Sequence, residues 1–159
     1  MRWKTVKKRV SWESIFLRLL PTITNQIQIF SLRVPEGEFL AHVRFSCDDV
    51  FKKLKKLKST SSPGPDGLRP GMLTQLAPSI AYPISQMFEQ FFNKGFVPNI
   101  WKLAYIKPIL KSGDPSMPSN YRPISLTCVL CKIMEGIIRD QMLDFLYQNE
   151  AISKHQHGF

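Results

Sequence analysis

The chain has 159 residues, with 22 Lys or Arg against 12 Asp or Glu and a formal charge of +10. That length bounds it to one domain or a piece of one. A hydrophobic share of 43% with 11% aromatics excludes a disordered polymer, while 12 prolines and 8 glycines promise a loop-rich fold.

The charge is unevenly placed. Residues 1–58 carry 13 Lys/Arg against 5 Asp/Glu, whereas residues 59–159 carry 9 against 7. Such a bias fits a polyanionic partner, nucleic acid first, because Lys and Arg release counterions when they neutralise phosphates. A solvated basic surface accounts for the charge equally well. Three cysteines, an odd number, fit a reduced intracellular protein, nuclear or cytoplasmic and not secreted. Lys7, Lys8 and Arg9 precede the apolar run Ile15 to Leu20, but Arg18 breaks that run. It is too short for a membrane span, and it lacks the small-residue cleavage site of a signal peptide.

Residues 1–45 show no trustworthy period, so they are left as an upstream linker or unassigned segment, with Pro21 and Pro35 limiting regular structure. From there the pattern sharpens. Ser46 or Asp48 can cap a helix that puts Val50, Phe51, Leu54 and Leu57 on one side and Lys52, Lys53, Lys55, Lys56 and Lys58 on the other. Packing on a core with the lysines in water is the default reading, and a phosphate backbone or acidic partner the alternative. Ser59 to Gly67 is a turn-rich loop by composition, held by Pro63, Pro65 and Asp66-Gly67.

Pro70 and Pro78 each suit a helix start, so two helices are expected here. The second carries the stripe Ile80, Ile84, Met87, Phe88, Phe91 and Phe92, with Pro83 in its first turns or kinking it, and Gly95 as a left-handed cap. Leu103 to Lys111 and Tyr121 to Thr127 read as strands of one hairpin around Gly113-Asp114-Pro115. Pro108 and Pro123 each lack a ladder donor, which predicts edge or bulge positions. From Cys128 to about Tyr147, apolar residues recur at helical spacing. The class is α+β, weighted to helix.

Polymerase chemistry needs carboxylates that converge on two metal ions. The six Asp and six Glu are scattered, and the one adjacent pair, Asp48-Asp49, is better explained by helix capping. Cys128 and Cys131 form a single C-x-x-C without further ligands at finger spacing, so buried thiols on a helix are expected rather than zinc. No G-x-S-x-G motif supports acyl transfer. What remains is cationic. Lys111 and Arg122 flank one turn, where they either project paired charges towards a triphosphate or are simply solvated.

Several stretches in order, SSPGPDG (61–67), PNIWKLAYIKPILKSGD (98–114), NYRPISL (120–126), KIME (132–135) and QHGF (156–159), resemble reverse transcriptases of non-LTR retrotransposons, the jockey-like group especially. The resemblance implies a partial reverse transcriptase domain over residues 46–159: a helix-rich fingers subdomain of a right-hand polymerase fold with a β-hairpin, and the start of the palm. It implies that Lys111 and Arg122 hold the triphosphate of the incoming dNTP. Gly64, Pro65, Asp66 and Gly67 would form a loop near the template, with Asp66 bracing the turn through its own backbone. The implied partners are RNA template, DNA primer and dNTP, with protein partners unknown. Mg2+ serves the full-length enzymes of the family, and none is expected on this chain, which ends before the palm aspartates. The expectation is a polymerase fragment inactive alone. A non-catalytic basic nucleic-acid-binding module, or a poorly folded remnant, are the alternatives.

Overall fold

The computed structural model describes residues 42–150 and the backbone of a short strand at residues 7–9. The rest of the upstream segment and the Gln156–Phe159 motif lie outside the described residues. The architecture is α+β. A strand β1 (Lys7–Arg9) precedes helices α1 (Cys47–Lys55) and α2 (Pro70–Asn93), strands β2 (Leu103–Leu110) and β3 (Tyr121–Leu126), and helix α3 (Val129–Gln148).

Ser46, not Asp48, caps α1. Its extended backbone turns the Oγ to accept from Asp49 N at 3.0 Å, and the hydroxyl donates to Asp49 Oδ2 at 2.6 Å. Asp48 and Asp49 sit in the first turn, where the positive end of the helix dipole favours them. Val50 and Leu54 are fully buried, with Phe51 and Leu57 packed beside them. The chain ahead of the cap is also part of the core: Val43 and Phe45 are buried. Arg44 is held by the Gln141 side chain, which accepts from its N–H at 2.9 Å and donates to its carbonyl at 2.7 Å.

Where two helices were expected between Pro70 and Gly95, there is one. Pro70 does start α2, but the helix runs unbroken through Pro78 and Pro83. An interior proline costs about 3 kcal/mol relative to alanine. The opposing term is a continuous buried stripe, Leu73, Ala77, Ala81, Ile84, Ser85 and Phe88, which a break at Pro78 would divide. Both prolines are exposed, and they leave the carbonyls of Thr74 and Ser79 without their helical donors.

Gly95 ends the helix as expected, at φ +58°. Phe96 N donates to Phe91 O at 2.8 Å and Gly95 N to Phe92 O at 3.1 Å, the paired bonds of a Schellman motif. The Phe96 ring meets Phe91 edge-on at 5.3 Å, supplying the apolar contact that accompanies such a cap. Phe45, Phe88, Phe91 and Trp101 continue this edge-to-face cluster, with centroids 5.6 to 6.1 Å apart.

The sheet order is β1-β2-β3, antiparallel throughout. Pro108 and Pro123 face each other in an unbroken register, not at a bulge. Lys111 N donates to Asn120 O at 2.7 Å, so the alternation along the ladder makes Pro108 and Pro123 a non-hydrogen-bonded pair. Each proline's missing donor would have pointed away from the other strand, and the β2–β3 ladder loses nothing. Helix α3 buries Val129, Cys131, Ile133, Met134, Ile137 and Ile138 against the other two helices. Among the described residues no helix is long and apolar enough to cross a membrane.

Candidate functional site

Side chains alternate along a strand and match across a ladder, so the register decides which residues share a face. Lys111 pairs with Asn120 and Arg122 pairs with Ile109, which puts Lys111 and Arg122 on one face as diagonal neighbours about 7 Å apart. Both are exposed. Lys107, opposite Ile124, joins them, and with Ile109 and Ile124 it completes an exposed face of three cations and two isoleucines. Lys107 was missed in the sequence. Its even spacing from Lys111 was the signal, legible once a strand is assumed. The other face seats Ala104, fully buried, on the core.

The turn that joins these strands is tied from several sides. Gly113 adopts φ +83°, and a Cβ there would come within 2.7 Å of Asn120 Nδ2. Asn120 Nδ2 donates to Asp114 O at 3.0 Å, and Tyr121 Oη donates to Pro115 O at 2.9 Å. Ser116 N donates to Asp114 Oδ1 at 2.8 Å. This bond, aided by the Ser116 hydroxyl, holds the Asp114 carboxyl below its ordinary pKa. The K-x-G-D and N-Y-R stretches thus meet in space, Asn120 and Tyr121 locking the loop that Gly113 and Asp114 open. They fix the bases of Lys111 and Arg122.

The loop at Gly64–Gly67 sits at the other end of β3. Gly64 is buried, and a Cβ on it would lie 2.6 Å from Thr127 O and 2.7 Å from Cys128 Cα. Gly67 N donates to Gly64 O at 3.0 Å, closing a turn over Pro65 and Asp66, and Gly67 itself needs its φ of +71°. Asp66 Oδ1 accepts from Leu68 N at 3.2 Å, the expected self-bracing. Its Oδ2 is buried and has no hydrogen-bond partner among the described residues. The Cys128 thiol nearby is pushed up to about 11, by burial first and then by Asp66. Arg122 and Thr127 are separated by about 17 Å of extended strand. The structure therefore attaches loop and cation pair to opposite ends of β3, and does not merge them into one cluster.

The C-x-x-C thiols behave as core donors. Cys128 Sγ donates to Ile100 O at 3.4 Å and Cys131 Sγ to Glu135 Oε1 at 3.1 Å, both residues buried and free of disulfides. Burial, then the Glu135 charge, drives the Cys131 thiol far above its ordinary pKa. Among the described residues no three His, Cys, Asp or Glu side chains gather to hold a metal. Those residues do not fit the Mg2+ pair of a polymerase.

No protein-family model matches the chain. Its sequence is 29% identical over 150 residues to a probable RNA-directed DNA polymerase from transposon BS of Drosophila melanogaster, covering 92% of this chain and 17% of that protein. It is 33% identical over 113 residues to the RNA-directed DNA polymerase from mobile element jockey of the same species, covering 70% and 12%. A Retrovirus-related Pol polyprotein from type-1 retrotransposable element R1 of Bradysia coprophila is 32% identical over 114 residues, covering 70% and 11%. The chain spans between 11% and 17% of the length of these curated relatives. An alignment of 150 residues also carries the similarity into the unassigned first 45. With about 30% identity over much of its length to the polymerases of jockey and kindred elements, the chain belongs among the reverse transcriptase sequences of non-LTR retrotransposons.

Proposed function

We propose that the described residues are the fingers part of a right-hand RNA-directed DNA polymerase, and that the β2–β3 hairpin grips the triphosphate of the incoming dNTP. The observation that carries this reading is the register placing Lys111 and Arg122 side by side on one exposed sheet face, on a turn locked by Asn120 and Tyr121. Arg122 offers a planar fork for two phosphate oxygens and Lys111 a mobile point charge. Together they would offset the negative charge that builds on pyrophosphate as it leaves. Lys107, farther along the same face, adds a third positive charge. The Gly64–Gly67 loop, braced on Thr127 and Cys128, would border the template strand.

The polymerase portion on this reading comprises residues 46–159, with the buried Val43 and Phe45 and the paired strand Lys7–Arg9 attached to it, and the remainder upstream is a linker or unassigned segment. The described residues bind and position, while the catalytic metals of the polymerase would be held by residues outside this stretch. A labelled dNTP titrated into the chain should bind weakly, and Lys111→Ala with Arg122→Ala should lower that affinity about tenfold or more, the scale of one lost charge-assisted hydrogen bond. Affinity unchanged in the double variant would refute the hairpin grip. A primed RNA template with dNTP and Mg2+ should show no incorporation by the purified chain, and incorporation would refute the division of labour.

A further inference from the structure

The loop between α1 and α2 carries four hydroxyl side chains in a row, Ser59, Thr60, Ser61 and Ser62, all exposed. They are not equivalent. Ser61 N donates to Lys58 O at 3.0 Å, closing a turn over Ser59 and Thr60, and Ser59 Cβ packs 3.5 Å from where a Cβ on Gly71 of α2 would lie. Ser62 is the first residue past that turn. It lies outside any helix or strand, and its hydroxyl makes no hydrogen bond within the described residues. Ser62-Pro63 is also the one Ser-Pro or Thr-Pro step in the whole sequence.

Pro63 shapes Ser62 as an acceptor. The residue before a proline is driven into extended backbone, the form in which a kinase groove holds its substrate. Pro63 and Pro65 also stiffen the segment, so less conformational freedom is lost when it is bound. A pocket that selects proline at the position after the acceptor receives a residue with no N–H to bury unpaired. The Ser62–Pro63 bond is trans, as such a groove requires.

We infer that Ser62 is a phosphorylation site for a proline-directed serine/threonine kinase that uses MgATP. The Ser62 Oγ attacks the γ-phosphorus of ATP, and an Oγ–P bond forms as the bond to the β–γ bridging oxygen breaks. The hydroxyl proton passes to the kinase's catalytic base and ADP leaves. Three positions after the acceptor stands Pro65 rather than Lys or Arg, so the matching kinases are those that read the proline alone. The phosphate adds about −1.5 to −2 charges. Lys56, Lys58 and Arg69, exposed and paired with no acid among the described residues, face Asp66 as the one acid of this stretch, and the phosphate cancels their excess. Under the proposed function, on which this consequence alone rests, the loop bordering the template would pass from positive to neutral.

The test is to incubate the native full chain with an active mitogen-activated protein kinase and MgATP, and to locate the phosphate by tandem mass spectrometry. One phosphate should appear, on Ser62. Ser62→Ala should abolish it and Ser62→Thr should keep it. Pro63→Ala should slow incorporation about tenfold or more, the scale of one N–H buried without a partner, whereas Ser61→Ala should leave the rate near that of the parent chain. Matching thermal melts check that the variants fold. Incorporation that persists in Ser62→Ala, that ignores Pro63→Ala, or that occurs only in chain unfolded beforehand by heat would overturn the proposal, as would no incorporation at all. Neither dNTP nor template enters the assay, so the phosphorylation site and the proposed polymerase role stand or fall separately.

Discussion

Gly64 and Cys128 approach so closely that no methyl group fits between them: a Cβ on Gly64 would lie 2.7 Å from both the Cα and the N of Cys128. The obstruction is backbone, which cannot swing aside as a side chain can. Gly64→Ala should therefore lower stability by about 1–3 kcal/mol, the usual cost of overpacking. Urea unfolding followed by circular dichroism would measure it, and a variant as stable as the parent would show that the loop rests elsewhere.

Pro83 occupies an exposed position inside α2. Replacing it by alanine restores a backbone donor and removes the clash with the preceding turn, at the cost of a more flexible unfolded chain. Pro83→Ala should raise stability by about 1–3 kcal/mol. A lower melting temperature would mean that the proline shapes the helix to fit its neighbours.

Asp140 links α1 to α3. Burial tends to raise its pKa, but hydrogen bonds and charge from Lys53 and Arg139 outweigh burial and bring it below the ordinary 3.8. A carboxyl depressed by folding contributes stability that is complete above its unfolded pKa and is lost as pH falls through the lower, folded value. Because its side chain is 44% exposed, the contribution is small, below about 1 kcal/mol. Asp140→Asn should cost that much at neutral pH, and the difference from the parent should shrink as pH drops below about 4. A difference that stays constant down to acid pH would point to packing rather than charge.

The three cysteines should differ sharply towards a thiol reagent at mildly alkaline pH. Cys47 is exposed, while Cys128 and Cys131 are buried. Both buried thiols are held well above the ordinary pKa, Cys128 at about 11. Since the thiolate is the reactive form, one equivalent should react in the native chain and the other two only on unfolding. Fast reaction of a second thiol in the native state would contradict that burial.

Local chemistry was legible in the sequence where the deciding contacts are near neighbours. Ser46 caps α1, Gly95 closes α2, Asp66 braces its own turn, and the hairpin and α3 fall where spacing and turn residues put them. The unbroken α2 was not legible, because its continuity is decided by side chains packed from other elements against Ala77, Ala81 and Phe88, and proline propensity argues the opposite. The pairing of Lys7–Arg9 with Leu103–Tyr105 spans most of the chain and leaves no local trace. The same is true of Lys53 finding Asp140 and of Arg44 finding Gln141. For the candidate site, the charged pair and the glycine loop were visible as residues. That β3 holds them at its two ends, about 17 Å apart, needed the register.

The facing prolines of the hairpin also guard its rim. With β2 on one side, β3 turns its other side outward among the described residues, and at Pro123 that rim has no N–H to offer. A foreign strand trying to add there finds a gap midway along the template, so a sheet with an open border resists zipping onto copies of itself.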